Sequence, residues 1–261
     1  MTPSITRRLA LLIAGAVSLG ACQTTPVADA GFLSSYEGLE TKAGTLRVSV
    51  RDRRDEALAA AVERLFVEPA RLAPGAAEGV APTDLALVLG EVDRQVCYEL
   101  SERFTVLSGP AADAATVRVA VTRISPTEPV GSGLSAIAGA FIPGPIGIRP
   151  PGSTGMLAAE AELLAVDGAQ AASLAWARSA NVVGMDNPSL SRVGDALQFA
   201  EVFGDQVGDS FAPEDRPVRA IAEPDPCERF GPRDQPGGFI TRLVTGLYVP
   251  ETQGVRPQPA Q

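Results

Sequence analysis

Three cysteines, a pair of glutamates two residues apart and a complete lack of histidine bound the chemistry open to this 261-residue chain. Cys22 is the most informative of them. It follows Leu19-Gly20-Ala21, and ahead of these come Arg7-Arg8 and the apolar run from Leu9 to Ser18. A thiol set behind small residues, a short apolar run and a basic start is the acceptor for a thioether to diacylglycerol, with peptide cleavage just before the cysteine. The apolar run is too short to cross a bilayer core, which needs about 20 residues. An ordinary signal peptide, or a short apolar helix carrying a chance cysteine, is the plainer alternative.

Cys97 and Cys227 are the remaining thiols. An exported chain folds in an oxidising compartment, where an even pair favours a disulfide; the alternative is two unpaired thiols, one buried in a helix. Glu160 and Glu162 fall in an alternating run, so both side chains share one strand face. Neighbouring carboxylates can carry out general acid–base work when burial raises one pKa. The bland reading is a solvated strand face. Trp176 and Arg178 likewise share a face, as a binding patch or as core packing with a charged neighbour at the strand end.

The composition excludes more than it supports. Without histidine there is no Ser-His-Asp or Cys-His catalysis and no His-containing metal site. With one of three cysteines acylated, a Cys-only zinc site lacks ligands. Gly131-Ser132-Gly133 has no histidine to activate its serine, and no lysine follows the glycine-rich stretches to cradle a phosphate. A formal charge of −9 and the lack of a basic stripe argue against nucleic acid. No catalytic residue, metal or cofactor is assigned.

The elements that must position these residues follow from periodicity. Gln23 to Ala30 is a short polar tether. Gln23 stands where an aspartate would favour inner-membrane retention, so outer-membrane sorting is expected. Gly31 to Leu39 is aromatic and apolar, and should dock on the domain. Strands are expected at Leu46–Val50, Arg64–Leu72 (with Pro69 at an edge or bulge), Thr105–Leu107, Thr116–Ser125, Met156–Val166 and Ala172–Arg178, with a short helix between Asp52 and Glu63. Thr83 or Asp84 caps a helix running to about Phe104, whose stripe is Leu85, Leu89, Val92, Val96 and Leu100. Cys97 sits on the flank of that stripe, and Asp93, Arg94, Glu99 and Glu102 cover the wet side. Asn187-Pro188-Ser189 introduces a second long helix, ending near Phe211. Beyond Pro213 the chain reads as loop, except for Phe239–Val249, a strand or short helix.

The segment after the tether also carries a resemblance. Gly31, Phe32, Leu33, Tyr36 and Leu39 match a Gly-Phe-Leu-x-x-Tyr-x-x-Leu motif, and in this the chain resembles the bacterial lipoproteins grouped as domain of unknown function 3313. The likeness extends over roughly Gly31 to Phe211. It implies a family without implying an activity.

The expected architecture is α+β: a single two-layer α/β sandwich, with a mixed or mainly antiparallel sheet of four to five strands and two long helices on one face. The expected divisions are a signal peptide over 1–21, a tether over 22–30, the domain over 31–212 and a proline-rich extension over 213–261. The remaining stretch, Pro126 to Gly155, is rich in glycine and proline, nearly uncharged, and carries Leu134, Ile137, Phe141, Ile142, Ile146 and Ile148. A loop of that length and character either packs on its own domain or meets a partner, a lipid surface or another copy of the chain. The leading expectation is a non-enzymatic interaction or assembly module anchored on the periplasmic face of the outer membrane. A carrier for an apolar ligand or lipid is the alternative, and an enzyme using Glu160, Glu162 or Asp167 comes last.

Overall fold

A computed structural model describes residues 28–43, 48–127, 147–148, 154–181, 183–184, 186–187, 189–233, 236–245 and 247–259. Cys22 and five residues of the apolar loop, Leu134, Ile137, Phe141, Ile142 and Ile146, lie outside them.

Alternating apolar residues build one mixed sheet. Its strands are β1 (Glu40–Thr41), β2 (Val48–Arg54), β3 (Arg64–Val67), β4 (Arg71–Leu72), β5 (Thr105–Leu107), β6 (Ala115–Ser125), β8 (Met156–Leu164) and β9 (Gln170–Ser179), and β7 (Gly147–Ile148) pairs separately with β10 (Val183–Gly184). The spatial order is β1-β2-β9-β8-β6-β3-β5, and β4 lies beside β6 just past the end of β3. The pairs among β2, β9, β8 and β6 are antiparallel, whereas β3 runs parallel to both β5 and β6. The α+β class holds, but the sheet has eight strands where the sequence suggested four to five. The short strand expected at Thr105–Leu107 is present as β5, and the strands not expected as separate elements are β1 and β4, each two residues long and too short to display a period of two. Arg64–Leu72, expected as one strand, is split into β3 and β4 around Pro69, which has no N–H to give to the ladder.

The helices are α1 (Glu56–Ala61), α2 (Pro82–Ser101), α3 (Gly194–Phe211) and α4 (Pro236–Thr245). Asp55 caps α1 by accepting from the Leu58 amide. α2 begins at Pro82 and not at a Thr83 or Asp84 cap; proline suits the first helical position, where its missing N–H would lack a partner anyway. α2 and α3 lie side by side. Gly204 of α3 meets Gln95 and Gly208 meets Glu99, so the two helices advance in the same direction. A Cβ on Gly204 would lie 2.9 Å from the Gln95 backbone, so the contact requires glycine.

The core lies between these helices and one face of the sheet. Val117, Val119 and Val121 of β6, Ala161 and Leu163 of β8 and Trp176 of β9 are buried there with Val92, Val96, Phe203 and Val207. Trp176 packs on Phe203 with ring centroids 5.4 Å apart, and Arg178 lies over Phe199 while pairing with Asp186. That pair of residues is therefore core packing, not a binding patch.

Residues beyond Pro213, read from sequence as loop apart from Phe239–Val249, are fastened to the end of α1 and along the outer side of α2. Arg216 donates to the carbonyl of Val62, Tyr98 to that of Gly231, and the Gln258 amide to that of Ala86. Asp93 and Arg94, expected on the wet side of α2, are buried beneath this segment. Arg94 pairs with Glu91 and donates to the Gln253 carbonyl; Asp93 accepts from the Ala70 amide and from Gln258. Helical periodicity could not show this, because the cover comes from more than 100 residues further along the chain.

Candidate functional site

The opposite face of the sheet holds a constellation where residues of reactive type converge. Glu160 and Glu162 of β8, Arg118 of β6 and Gln170 of β9 point to this side, as the period of two requires. Over them lies the segment Ala28–Tyr36. Gly31 (φ 77°) takes a left-handed turn there, a conformation cheap only for glycine.

The contacts are specific. Glu160 Oε1 accepts from the Ala30 amide (2.9 Å) and its Oε2 from the Tyr36 hydroxyl (2.6 Å). That hydroxyl in turn accepts from the Phe32 amide (2.9 Å) and the Leu33 amide (3.3 Å). Glu162 Oε2 accepts from the Ser34 amide (2.8 Å) and from Gln170 Nε2 (2.9 Å); its Oε1 accepts from the Ser34 hydroxyl (3.1 Å) and pairs with Arg118 (2.9 Å). The Arg118 guanidinium lies 5.0 Å from the centre of the Phe32 ring. Leu33 is buried beside them.

Glu160 and Glu162 do share a strand face, as the sequence indicated, but that face is not solvated: they are 3% and 0% exposed. Burial, followed by the bond to Glu160, pushes the Tyr36 hydroxyl above its usual pKa, which keeps it protonated and donating. Four donors converge on Glu162, two from Ser34 and one each from Gln170 and Arg118, and two on Glu160, both from the N-terminal segment, so every carboxylate oxygen of the pair already accepts a bond. The arrangement can hold a strap.

The second predicted pair is also joined. Cys97 and Cys227 form a disulfide with Cα atoms 5.8 Å apart, linking α2 to the C-terminal segment. Ile148, the last of the six apolar residues named in the expected interaction loop, is in β7 opposite Val183, so that stretch contains at least one short ladder. Among the described residues, no group of His, Cys, Asp or Glu side chains is arranged to hold a metal ion. None of their helices is long and apolar enough to cross a membrane.

Sequence reading identified the motif and the carboxylates separately and missed that one covers the other. The available signal was local: a motif rich in apolar residues, with Tyr36 and Ser34 free to donate, and two acidic residues in an otherwise apolar strand. The motif lies inside the stretch that matches a known family. The family described as "Protein of unknown function (DUF3313)" matches residues 28–207. This chain belongs to the DUF3313 family. The match to DUF3313 opens at the strap itself, includes the sheet and most of α3, and stops before the C-terminal segment that covers α2. Among curated proteins none matches this DUF3313 chain. Two solved structures of PelC dodecamers from Paraburkholderia phytofirmans are similar to it, each with a TM-score of 0.35. One, a single-substitution variant, is 12% identical and covers 62% of this chain and 97% of its own; the other is 14% identical and covers 61% and 94%.

Proposed function

We propose that this chain is a lipoprotein, tethered to the periplasmic face of the outer membrane by diacylglycerol on Cys22, and that its domain is a non-enzymatic interaction or assembly module of the cell envelope. The observation that carries the reading is the strap. The residues immediately after the tether are bolted to the sheet by Glu160 and Glu162, which fixes the place where the chain leaves the domain and takes up the only paired carboxylates the sequence offered for catalysis. A bolted exit followed by a short tether suits a domain that works at a fixed height above a membrane. The apolar stretch around Leu134, Ile137, Phe141, Ile142, Ile146 and Ile148 is the proposed contact with an envelope protein or with another copy.

The carrier reading has one feature in its favour. A groove of about 440 Å3 runs between α1 and the β8–β9 turn, where Leu58, Ala61, Val62, Ala165 and Val166 are apolar. Glu63, Arg64, Asp113 and Asp167 also line it, which suits a purely apolar ligand poorly.

The anchor is tested by growing cells with a tagged fatty acid. Wild type incorporates label and sediments with outer membrane; Cys22→Ser incorporates none and accumulates as precursor or leaves the membrane. Equal label in the two strains overturns the anchor.

A further inference from the structure

α4 carries four large apolar side chains in the open. Phe239 is 63% exposed, Ile240 57%, Leu243 73% and Val244 77%. Their spacing of one, three and one residues places them on a single helical face, and an apolar patch of this kind is costly to leave in water. The only charged residue in Pro236–Thr245 is Arg242.

Where this face sits can be read from the contacts. Followed backwards, the strap steps along β8: Ser34 meets Glu162, Ala30 meets Glu160, and Ala28 lies by Thr122 and Ala177. The chain therefore leaves the domain towards the pole formed by Ser125, Met156 and Ser179, which are neighbours in the sheet. α3 starts at that same pole, because Asp195 in its first turn accepts from the Gly155 amide and from Thr127. Ser189, packed against Gly194, donates there to the carbonyl of Tyr248. Tyr248 follows the last residue of α4 by only three positions. The C-terminal end of α4 and the exit of the N-terminal chain thus share one pole of the molecule.

The geometry points to α4 as a second membrane contact, its Phe239, Ile240, Leu243 and Val244 face lying in the surface of the bilayer that holds the lipid on Cys22. The inference rests on the anchored reading above. Five residues separate Cys22 from Ala28, and fully extended they reach about 20 Å, so lipid on Cys22 keeps this pole close to the headgroups. A ten-residue helix with an apolar face, one basic residue and no acidic one has the character of an interfacial helix rather than a spanning one. The two contacts cooperate. The diacyl chains hold the protein at the bilayer, and the α4 face adds buried apolar area and fixes the orientation of the domain.

The test uses the full lipidated chain reconstituted in vesicles that contain phospholipid brominated on its acyl chains. Leu243→Trp puts a reporter on α4. Val166→Trp puts one on an equally open residue (61% exposed) in the β8–β9 turn, about 30 Å along the strand from Met156. The native Trp176 is buried and gives the same background in both. The expected result is that protein floats with the vesicles, that Leu243→Trp emission shifts to the blue and is quenched severalfold, and that Val166→Trp emission is unchanged. Floating protein with Leu243→Trp unquenched overturns the α4 contact and leaves the anchor standing. A blue shift without bromine quenching means that protein, such as a second copy, covers the helix, and overturns it as well. Equal quenching at both positions overturns it too, and protein that does not float removes the anchor and this inference together.

Discussion

Glu162 is fully buried, yet it keeps its charge company with Arg118, Gln170 and both polar groups of Ser34. Removing its carboxylate leaves several partly buried donors without their acceptor at once, and each charge-assisted bond is worth about 1.5–3 kcal/mol. Because Arg118 retains some access to water, we expect Glu162→Ala to cost about 2–3 kcal/mol in urea denaturation. The same change should make the Ala30 and Ser34 amides exchange rapidly with deuterium while β8 and β9 stay protected; protection of Ser34 equal to wild type would falsify the strap. A second residue-scale prediction concerns Glu99, on α2 facing α3. Burial, then the charges of Asp205 and Glu102, push its pKa up to about 7 against the opposing pull of Arg103. Protonated Glu99 donates to Asp205, whose own pKa is raised first by burial and then by Glu201. Above its ordinary value near 4.5 the unfolded chain releases a proton that the folded protein keeps until about pH 7. Stability therefore falls as pH rises through that window. Asp93, held at about 6 chiefly by burial, adds to the fall. Glu99→Gln should flatten the decline of Tm between pH 5 and 7.5, and a Tm–pH curve parallel to that of wild type would show that Glu99 is not its source.

Among the elements, α2 is the one most altered by its surroundings. Its apolar stripe of Leu89, Val92, Val96 and Leu100 is buried as periodicity requires. Its other side is covered by a segment that has little regular structure and relies on side chains for attachment. Arg233 lies over the Tyr98 ring and pairs with Asp225, the Gln258 side chain bonds Asp93, and Gly90 passes so close to Arg256 that a Cβ there would overlap its carbonyl. Such a segment has little helix or sheet cooperativity of its own, which gives the Cys97–Cys227 bridge its importance. The bridge spans 130 residues, and chain entropy for a loop of that size corresponds to about 4–5 kcal/mol. We therefore expect Cys97→Ser with Cys227→Ser to lower unfolding free energy by an amount of that order and to expose Arg229 and Arg233 to trypsin. Two thiols reacting per denatured, unreduced wild-type molecule would show that the bridge does not form.

For the whole molecule, the arrangement is directional: the outgoing end of the strap, the N-terminus of α3 and the end of α4 lie towards one pole, and the β8–β9 turn with its groove marks the other. The described ends of the apolar loop, Thr127 and Gly155, are both held by Asp195 at the first pole. If the loop serves contact and not packing, replacing Phe141, Ile142 and Ile146 together by Ser leaves melting nearly unchanged and removes crosslinks to envelope partners in intact cells; loss of folding would make the loop core. The sequence by itself determined what depends on neighbours along the chain. The alternation in Val117–Val121 and Leu157–Leu163 dictated central strands, the stripes of α2 and α3 dictated helices on one face, and the motif around Phe32 and Tyr36 marked the family. An export signal read from the first residues, with the oxidising compartment it implies, and an even pair of cysteines were enough to expect the bridge between Cys97 and Cys227. What only the tertiary structure decided is which surfaces lose their water to distant segments. Glu160 and Glu162 read as solvated because nothing within β8 says that Ala30, Ser34 and Tyr36 will lie over them, and Asp93 and Arg94 read as wet because Gln253 and Gln258 arrive from the far end of the chain. Periodicity reports the face an element turns to its own core; burial of a polar face by a strap is set by side-chain hydrogen bonds between residues more than 100 positions apart, and such bonds leave no period in the sequence.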